Sequence, residues 1–286
     1  MATMRDIRRR IRVVKNIQQL TNAMKMVAAA RLKKAQNRAE AARPYAEKMQ
    51  EAMRSLSVAA QQVEHPLLEV RPEERIAVVI IGADRGLAGA YNVNIMRKAM
   101  ELIRGWQPEN VKLLLAGKRA AAYFRRQPYE IVAALNVPAS NVTFSDIRDI
   151  TTKLRALFEQ RQVDAVYLVY ARFVTAMTQR PTVLKILPIE PDENLVGETI
   201  PTEYIFEPAP VRLFADLLPR YVDTQVYRAL VEAVASEQGA RMTAMSAATK
   251  NAGEMIENLT LSYNKARQAA ITKELTEIVA GAEALK

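Results

Sequence analysis

Apolar residues recur every three or four positions along the first 56 residues of the chain. Two interleaved heptad rows carry them, and 12 of the 15 row positions are apolar. One row consists of Ile7, Val14, Thr21, Ala28, Ala35, Ala42, Met49 and Leu56, and the other of Ile11, Gln18, Lys25, Leu32, Ala39, Ala46 and Met53. A seam this long predicts a helix that packs in a coiled coil. Because the pattern resumes in register beyond Pro44, the helix is expected to kink there and not to end.

The last part of the chain carries a second seam of the same spacing. Its positions are Ala248, Ala252, Met255, Leu259, Ser262, Ala266 and Ala269. The ends of an inserted domain usually lie close together, so the two long helices are expected to run antiparallel and to pack on each other. A helix from about Arg220 to Leu285 would exceed its partner by roughly ten residues. Its last turns should then project as a single helix with apolar side chains on several faces.

The middle of the chain alternates short apolar runs with helical patterns. Strands are predicted at residues 76–81, 111–116, 130–134 and 165–170, helices at 92–104, 118–126 and 145–160, and a further edge strand at 182–189. This alternation predicts a mostly parallel sheet covered by helices, a Rossmann-like arrangement. The expected fold is therefore an α/β domain inserted between two long helices that form an antiparallel coiled coil. The predicted boundaries are residues 1–60, 61–209 and 210–286.

Positive charge is concentrated in the N-terminal helix. The chain has 41 Lys and Arg against 31 Asp and Glu, and residues 1–60 hold 14 of these bases but only four of the acids. A basic stripe of this size suggests an acidic partner, and a nucleic acid is the usual first candidate. A solvated helix face explains the charge equally well. Residues 1–44 contain no aromatic side chain on which bases could stack, so a nucleic-acid-binding coiled coil is the alternative and not the main hypothesis.

Residues that could support catalysis or hold a cofactor are scarce. The chain has no cysteine, which excludes disulfides, Cys-ligated metals and thiol catalysis. The single histidine, His65, precedes a proline in an expected exposed turn. The glycines of residues 82–89 lack the spacing of a dinucleotide-binding loop, and Gly117 with Lys118 lacks the rest of a P-loop. Since Asp84 has no second carboxylate at a catalytic spacing, we expect no catalytic site, no metal and no cofactor.

Nothing in the sequence predicts a segment that crosses or enters a membrane. The longest apolar run, residues 76–83, is far shorter than a membrane span, which needs roughly 18 residues or more. The arginine-rich N-terminus lacks the apolar core and cleavage site of a secretory signal. The chain is expected to begin here and to stay in the cytoplasm.

Four stretches of the sequence resemble the gamma subunits of F-type ATP synthases. They are IQQLTNAMKMVAAA at 17–30, ADRGLAGA at 83–90, ASEQGARM at 235–242 and YNKARQAAITKELTEI at 263–278. The resemblance extends over essentially the whole chain and implies a rotor shaft. Such a shaft lies inside a head of three alpha and three beta subunits and has a globular foot on the membrane c-ring beside the epsilon subunit. Chloroplast relatives carry a redox insertion with two cysteines that this chain lacks, so a bacterial form at the cytoplasmic face of the plasma membrane is expected.

The resemblance also assigns roles to individual residues. It implies contacts with the catalytic head at Met24, Arg267, Gln268, Glu274 and Glu277, and contacts with the c-ring at Tyr204 and Glu207. The apolar side chains at the C-terminal end predict a bearing enclosed by the head, formed by Ile271, Leu275, Ile278, Val279 and Leu285. For Met24 and Arg267, a purely structural role remains open. The sequence also leaves open whether protons or sodium ions drive rotation.

Overall fold

The computed structural model describes residues 3–59, 65–138, 140–189 and 210–283. In chain order the helices and strands are α1 (Met4–Ala59), β1 (Ile76–Ile81), α2 (Tyr91–Ile103), β2 (Val111–Ala116), α3 (Lys118–Phe124), β3 (Glu130–Leu135), α4 (Ser145–Glu159), β4 (Ala165–Phe173), β5 (Gln179–Leu187) and α5 (Pro210–Glu283). Single 3-10 turns lie at Pro66–Leu68 and Pro108–Asn110. The expected fold, an α/β domain between two long helices, is confirmed.

The five strands form one sheet in the order β3-β2-β1-β4-β5. The pairs β1–β2, β1–β4 and β2–β3 are parallel, and β5 runs antiparallel to β4 at one edge. All six residues of β1 are buried, as expected for a central strand covered on both faces. The mostly parallel sheet and its extra edge strand are therefore confirmed. Both β4 and β5 extend further towards each other than predicted, because a short turn at residues 174–178 joins them as a hairpin.

Helix α1 begins at a reciprocal cap. The Thr3 hydroxyl donates to the Asp6 carboxylate at 2.7 Å, and the Asp6 backbone N–H donates back to the Thr3 hydroxyl at 3.3 Å. These bonds satisfy groups that a helix end otherwise leaves unpaired. The helix continues through Pro44 to Ala59. Every seam position from Ile7 to Met53 is buried or half-buried, which confirms the predicted α1 seam.

The chain divides into two compact units. The shaft unit contains α1 up to Val27 and α5 from Met242, and the second unit contains Ala28–Arg241. Within the shaft unit the two helices pair antiparallel, as predicted. Thr249 donates a hydrogen bond to Thr21 through their hydroxyls at 2.8 Å, and further along Arg8 donates to the Tyr263 hydroxyl at 2.5 Å. In these pairs a lower residue number on α1 meets a higher one on α5, so the two helices are antiparallel.

The α5 seam differs from the predicted one in one of its two rows. Ala252, Leu259 and Ala266 are buried or half-buried as expected, but Met255, Ser262 and Ala269 are exposed. The second row is instead Ile256, Tyr263 and Ala270, each one residue further along. A shift of one residue turns a helix face by about 100°. The packing selects Tyr263 because its ring and hydroxyl both contact the Arg8 guanidinium. Helix α5 begins at Pro210, ten residues before the arm counted from Arg220 but at the predicted boundary of the C-terminal helix.

Candidate functional site

The C-terminal end of α5 exposes apolar side chains. This segment, here called the tip (residues 271–281), is exposed at every position. Its largest apolar side chains have exposed fractions of 50% for Ile271, 59% for Leu275, 63% for Ile278 and 62% for Val279. Leu285 lies outside the described residues. A cluster of this kind, with exposed charges around it, is typical of a surface that another protein covers.

The helical backbone of the tip is supported locally. Lys273 and Glu277 form an ion pair one helical turn apart at 3.6 Å, and the Thr276 hydroxyl donates to the Thr272 carbonyl oxygen at 2.8 Å. The ion pair joins two exposed side chains and the hydrogen bond joins a side chain to the main chain, and each adds little stability. The tip therefore presents its apolar residues in fixed helical order although no neighbouring helix packs on it among the described residues.

Four of the predicted head-contact residues lie close together on α5. Arg267 and Gln268 are exposed in the turn before the tip, and Glu274 and Glu277 are exposed within it. Met24 is half-buried on α1, near the Thr21–Thr249 pair and not near Arg267. The 18 residues of α5 between Thr249 and Arg267 span roughly 27 Å. The structure thus brings four of these residues together and leaves Met24 apart from them.

An apolar stripe on α1 was missed by the sequence reasoning. Val13, Ile17, Leu20 and Val27 are all about half exposed or more, and Met24 lies among them at the same spacing. This set, here called the α1 stripe, runs one position before the seam and so lies on the side of α1, about 100° around the helix from the seam. Its 4-3-4-3 spacing is visible in the sequence and indicates a second apolar helix face, but the predicted seam does not include these residues.

Tyr204 and Glu207, predicted to touch the c-ring, lie outside the described residues. His65 lies before a turn as predicted, but it is half-buried and not exposed, and its Nδ1 accepts a hydrogen bond from the Leu67 backbone N–H at 3.1 Å. That bond gives His65 a structural role as the cap at the start of the 3-10 turn.

The crevice where a doubly wound sheet would bind a nucleotide is filled by α5. Such ligands bind beyond the carboxyl ends of the strands, at the place where the connections from two neighbouring strands run in opposite directions along the sheet. In this sheet that place lies between β1 and β4. The Ser236 hydroxyl donates to the Ala171 carbonyl oxygen at 2.8 Å at the end of β4, and the Tyr91 hydroxyl donates to the Ala233 carbonyl oxygen at 3.0 Å. The protein's own helix therefore occupies the place of a ligand.

The loop after β1, residues 82–90, is likewise closed by internal contacts. One Asp84 carboxylate oxygen accepts hydrogen bonds from the backbone N–H groups of Lys118 at 3.0 Å and Val137 at 3.3 Å. A bound phosphate would need such donors, and here a side-chain carboxylate takes them.

Within the described residues no group of three or more metal-binding side chains is found. No described helix is both long enough and apolar enough to span a membrane.

A buried ion pair on α5 lies beside this loop. Arg241 and Glu237, one helical turn apart, join at 2.5 Å, and their side chains are 8% and 7% exposed. Burial raises the pKa of Glu237, the Arg241 guanidinium opposes that rise, and the nearby Asp84 carboxylate adds to it. The sequence reasoning missed this pair, although its four-residue spacing was visible.

A second ionic cluster joins the amino-terminal ends of β1 and β4. Asp164 accepts hydrogen bonds from the Arg75 backbone N–H at 2.9 Å and from the Arg75 guanidinium at 3.1 Å. Burial alone would raise the pKa of Asp164, but these bonds hold it below its usual value. This cluster has a structural role, because it fixes the chain segment that leads into β1.

Comparisons with known proteins identify relatives over the whole length of the chain. The family model described as ATP synthase matches residues 3–285. The chain is 48% identical to the ATP synthase gamma chain of Desulfitobacterium hafniense over 286 residues, the full length of both, and 47% identical to that of Heliobacterium modesticaldum, again over the full length of both.

Solved structures match the fold as well. The first covers 80% of this chain and 99% of its own, at 26% identity and a TM-score of 0.62, and comes from the central stalk and c-ring of the Tetrahymena thermophila mitochondrial ATP synthase. A chain of the Euglena gracilis mitochondrial ATP synthase covers 99% of this chain and 94% of its own, with a TM-score of 0.67. At 18% identity, the second match concerns the fold alone.

Proposed function

The chain belongs to the ATP synthase gamma chain family, and we propose that it is the central rotor shaft of a bacterial F-type ATP synthase. It couples rotation of an ion-driven c-ring to ATP synthesis and hydrolysis in a head of three alpha and three beta subunits. The chain is a non-catalytic subunit of that complex. The observation that carries the proposal is the antiparallel pair of α1 and α5, beyond which α5 continues as a single helix with an exposed apolar tip.

The shaft unit supplies the asymmetry that rotary coupling requires. A partner shifts an equilibrium between states only through its different affinities for those states. The α1 stripe, the seam and the single-helix tip present different surfaces to the three catalytic subunits at any one angle. Linkage makes the coupling reciprocal, so nucleotide occupancy in the head also biases the shaft angle.

Two kinds of contact are proposed between the shaft unit and the head. The apolar tip and the α1 stripe lie in a sleeve that tolerates rotation, because apolar contact is not directional. Arg267 and Gln268 make directional hydrogen bonds to the catalytic subunits, and Glu274 and Glu277 add contacts further along α5. Met24 contributes an adaptable apolar contact within the α1 stripe.

The α/β domain is proposed to be the foot of the rotor. Residues 61–209 would rest on the c-ring beside the epsilon subunit, with Tyr204 and Glu207 at the ring. The complex then stands at the cytoplasmic face of the bacterial plasma membrane, with this chain as a peripheral component. The basic N-terminal helix would meet acidic loops of the head, which guides association without tight binding. No comparison with known proteins favours the nucleic-acid alternative.

Copurification tests the proposal. The tagged full chain, coexpressed with alpha and beta subunits from a related bacterium, should recover both subunits and yield cooperative ATP hydrolysis. The chain alone should hydrolyse no ATP. Recovery of the chain without either subunit, or binding to duplex DNA at physiological salt in place of the head, would contradict it.

The orientation of the foot has its own test. Because the chain lacks cysteine, a Tyr204→Cys or Glu207→Cys variant carries a single thiol. Either variant should form a disulfide with a cysteine in the polar loop of the c-subunit. Efficient cross-linking to the beta subunit instead would show that the foot does not face the ring.

A further inference from the structure

One short stretch of α5 is bound to the sheet by directional contacts. This anchor segment, residues 233–241, is buried throughout. Hydrogen bonds join it to the α/β domain from the Tyr91 hydroxyl to the Ala233 carbonyl oxygen, from the Ser236 hydroxyl to that of Ala171 and from the Arg241 guanidinium to that of Gly86. Each engages a main-chain atom, on the helix or on the segment it meets, so the contacts fix the angle of the helix as well as its distance from the sheet.

Arg241 makes the last of these contacts along the chain. Its Nη2 atom donates to the Glu237 carboxylate at 2.5 Å and to the Gly86 carbonyl oxygen at 3.3 Å. Burial makes both hydrogen bonds stronger than they would be in water, since little solvent competes for the charged groups. A buried ion pair is nevertheless costly to desolvate, and an apolar pair of equal volume often stabilises a fold as well. Directional positioning is what the charged pair adds.

The loop on the other side of this contact is itself held firmly. Asp84 joins it to the starts of α3 and of the segment after β3. The Arg119 guanidinium lies beside Gly86, since a Cβ atom built there would be 2.8 Å from the Arg119 Nη2 atom. The Asp84 bonds, two residues before Gly86, therefore hold the loop against α3 and the segment after β3. The carbonyl oxygen that Arg241 binds thus belongs to a loop that is fixed to the α/β domain.

We propose that Arg241 is a positioning residue for torque transfer, which locks the rotational angle of α5 against the α/β domain by joining Glu237 to the carbonyl oxygen of Gly86. This inference rests on the proposed rotor function. Torque that enters through the foot must reach α5 without the helix turning on the sheet. Apolar packing alone resists such turning only through shape, whereas the Arg241 bonds lengthen and break when the helix turns.

Torsional stiffness measures this role directly. The head of an alpha–beta complex with the full chain is fixed to glass, and a bead is attached through an Arg104→Cys substitution at the exposed end of α2. With rotation arrested by nucleotide, the variance of the bead angle reports the compliance between head and foot. If these three hydrogen bonds act as equal springs in parallel, losing one should raise the part of the variance that arises at the anchor segment by roughly half. The unloaded ATP hydrolysis rate should stay unchanged, because hydrolysis turns α5 directly.

Three variants separate positioning from general structural damage. Arg241→Lys keeps the charge, but its ammonium ends short of the Nη2 position that donates to both oxygens, so it should raise the variance in a complex that still assembles. Glu237→Gln leaves Arg241 without its charged partner and should act in the same direction. Arg228→Gln is the control, since Arg228 forms an ion pair with Glu232 at the same spacing on the same helix but is 55% exposed.

The outcomes distinguish this inference from the proposed function. Equal angular variance in wild-type and Arg241→Lys complexes would overturn the positioning role while rotor function stands. If Arg228→Gln raised the angular variance as much as Arg241→Lys does, the positioning role would be overturned as well, because an exposed ion pair would then affect the stiffness as much as the buried one. A wild-type complex that hydrolyses ATP without turning the bead would contradict the rotor function itself.

Discussion

Two stretches of the same helix, α5, solve opposite problems. The anchor segment is buried and uses hydrogen bonds and a buried ion pair, whereas the tip, some thirty residues further along, is exposed and carries mainly apolar side chains towards solvent. Directional bonds fix an angle, and apolar surface tolerates changes of angle. This difference agrees with the proposed function, in which α5 is held still at the anchor segment and slides against the head at the tip.

A leucine placed in each stretch gives the largest contrast. In Gly239→Leu the added Cβ alone would lie 3.0 Å from the Ala176 carbonyl oxygen, and overpacking should lower the free energy of unfolding by about 2–3 kcal/mol. In the matched Gly281→Leu variant nothing lies within 4 Å of the Cβ, so the better helix former should stabilise that turn slightly. Denaturant titration of both variants measures the difference. Equal destabilisation would show that the tip is packed as tightly as the anchor.

Acid should weaken the α/β domain through Asp164. The native state holds its pKa below the usual value of 3.8, so the native carboxyl binds a proton more weakly than the unfolded chain does. The stability this provides is complete above that usual value and is lost as the pH falls through the lowered pKa. Asp164→Asn should cost about 2 kcal/mol at pH 7 and progressively less in acid. A cost that is the same at pH 3 and pH 7 would contradict this account.

The sequence predicts those features that depend on local spacing. The α1 seam and the strands β1 and β2 follow from periodicity or from unbroken apolar runs, and both are found as predicted. The spacing of apolar residues fits either Met255 or Ile256 as a position of the α5 seam, because both are apolar. Packing against the partner helix determines which of the two is buried. The spacing also could not reveal the bond from Arg241 to Gly86, since these residues lie 155 positions apart in the chain.

The head-contact residues offer a functional contrast between assembly and turnover. Arg267→Ala combined with Gln268→Ala would remove the hydrogen bonds proposed to the head, each worth about 1–3 kcal/mol when one partner is charged, and should lower ATP turnover about tenfold in complexes that still form. Native-gel yield and steady-state hydrolysis measure the two properties. Reduced assembly with normal turnover per complex would show that these residues hold the shaft and do not drive it.

The tip should affect assembly more than torque. Deleting residues 276–286 removes Ile278 and Val279, which are more than half exposed in the described part of the chain, so the thermal midpoint of the isolated protein should barely change. The yield and thermal stability of the complex should fall, and torque per step should fall less. Loss of torque in fully assembled complexes would reverse the roles proposed for the tip and for Arg267.

Direct observation of rotation tests the central claim, that this chain is the rotating shaft of an ATP synthase. With the head fixed and a bead on the Arg104→Cys site, addition of ATP should turn the bead in one direction, in three equal steps per revolution. The three steps follow from the three catalytic subunits proposed for the head. Steady ATP hydrolysis by the same complexes with a stationary or randomly moving bead would contradict the claim.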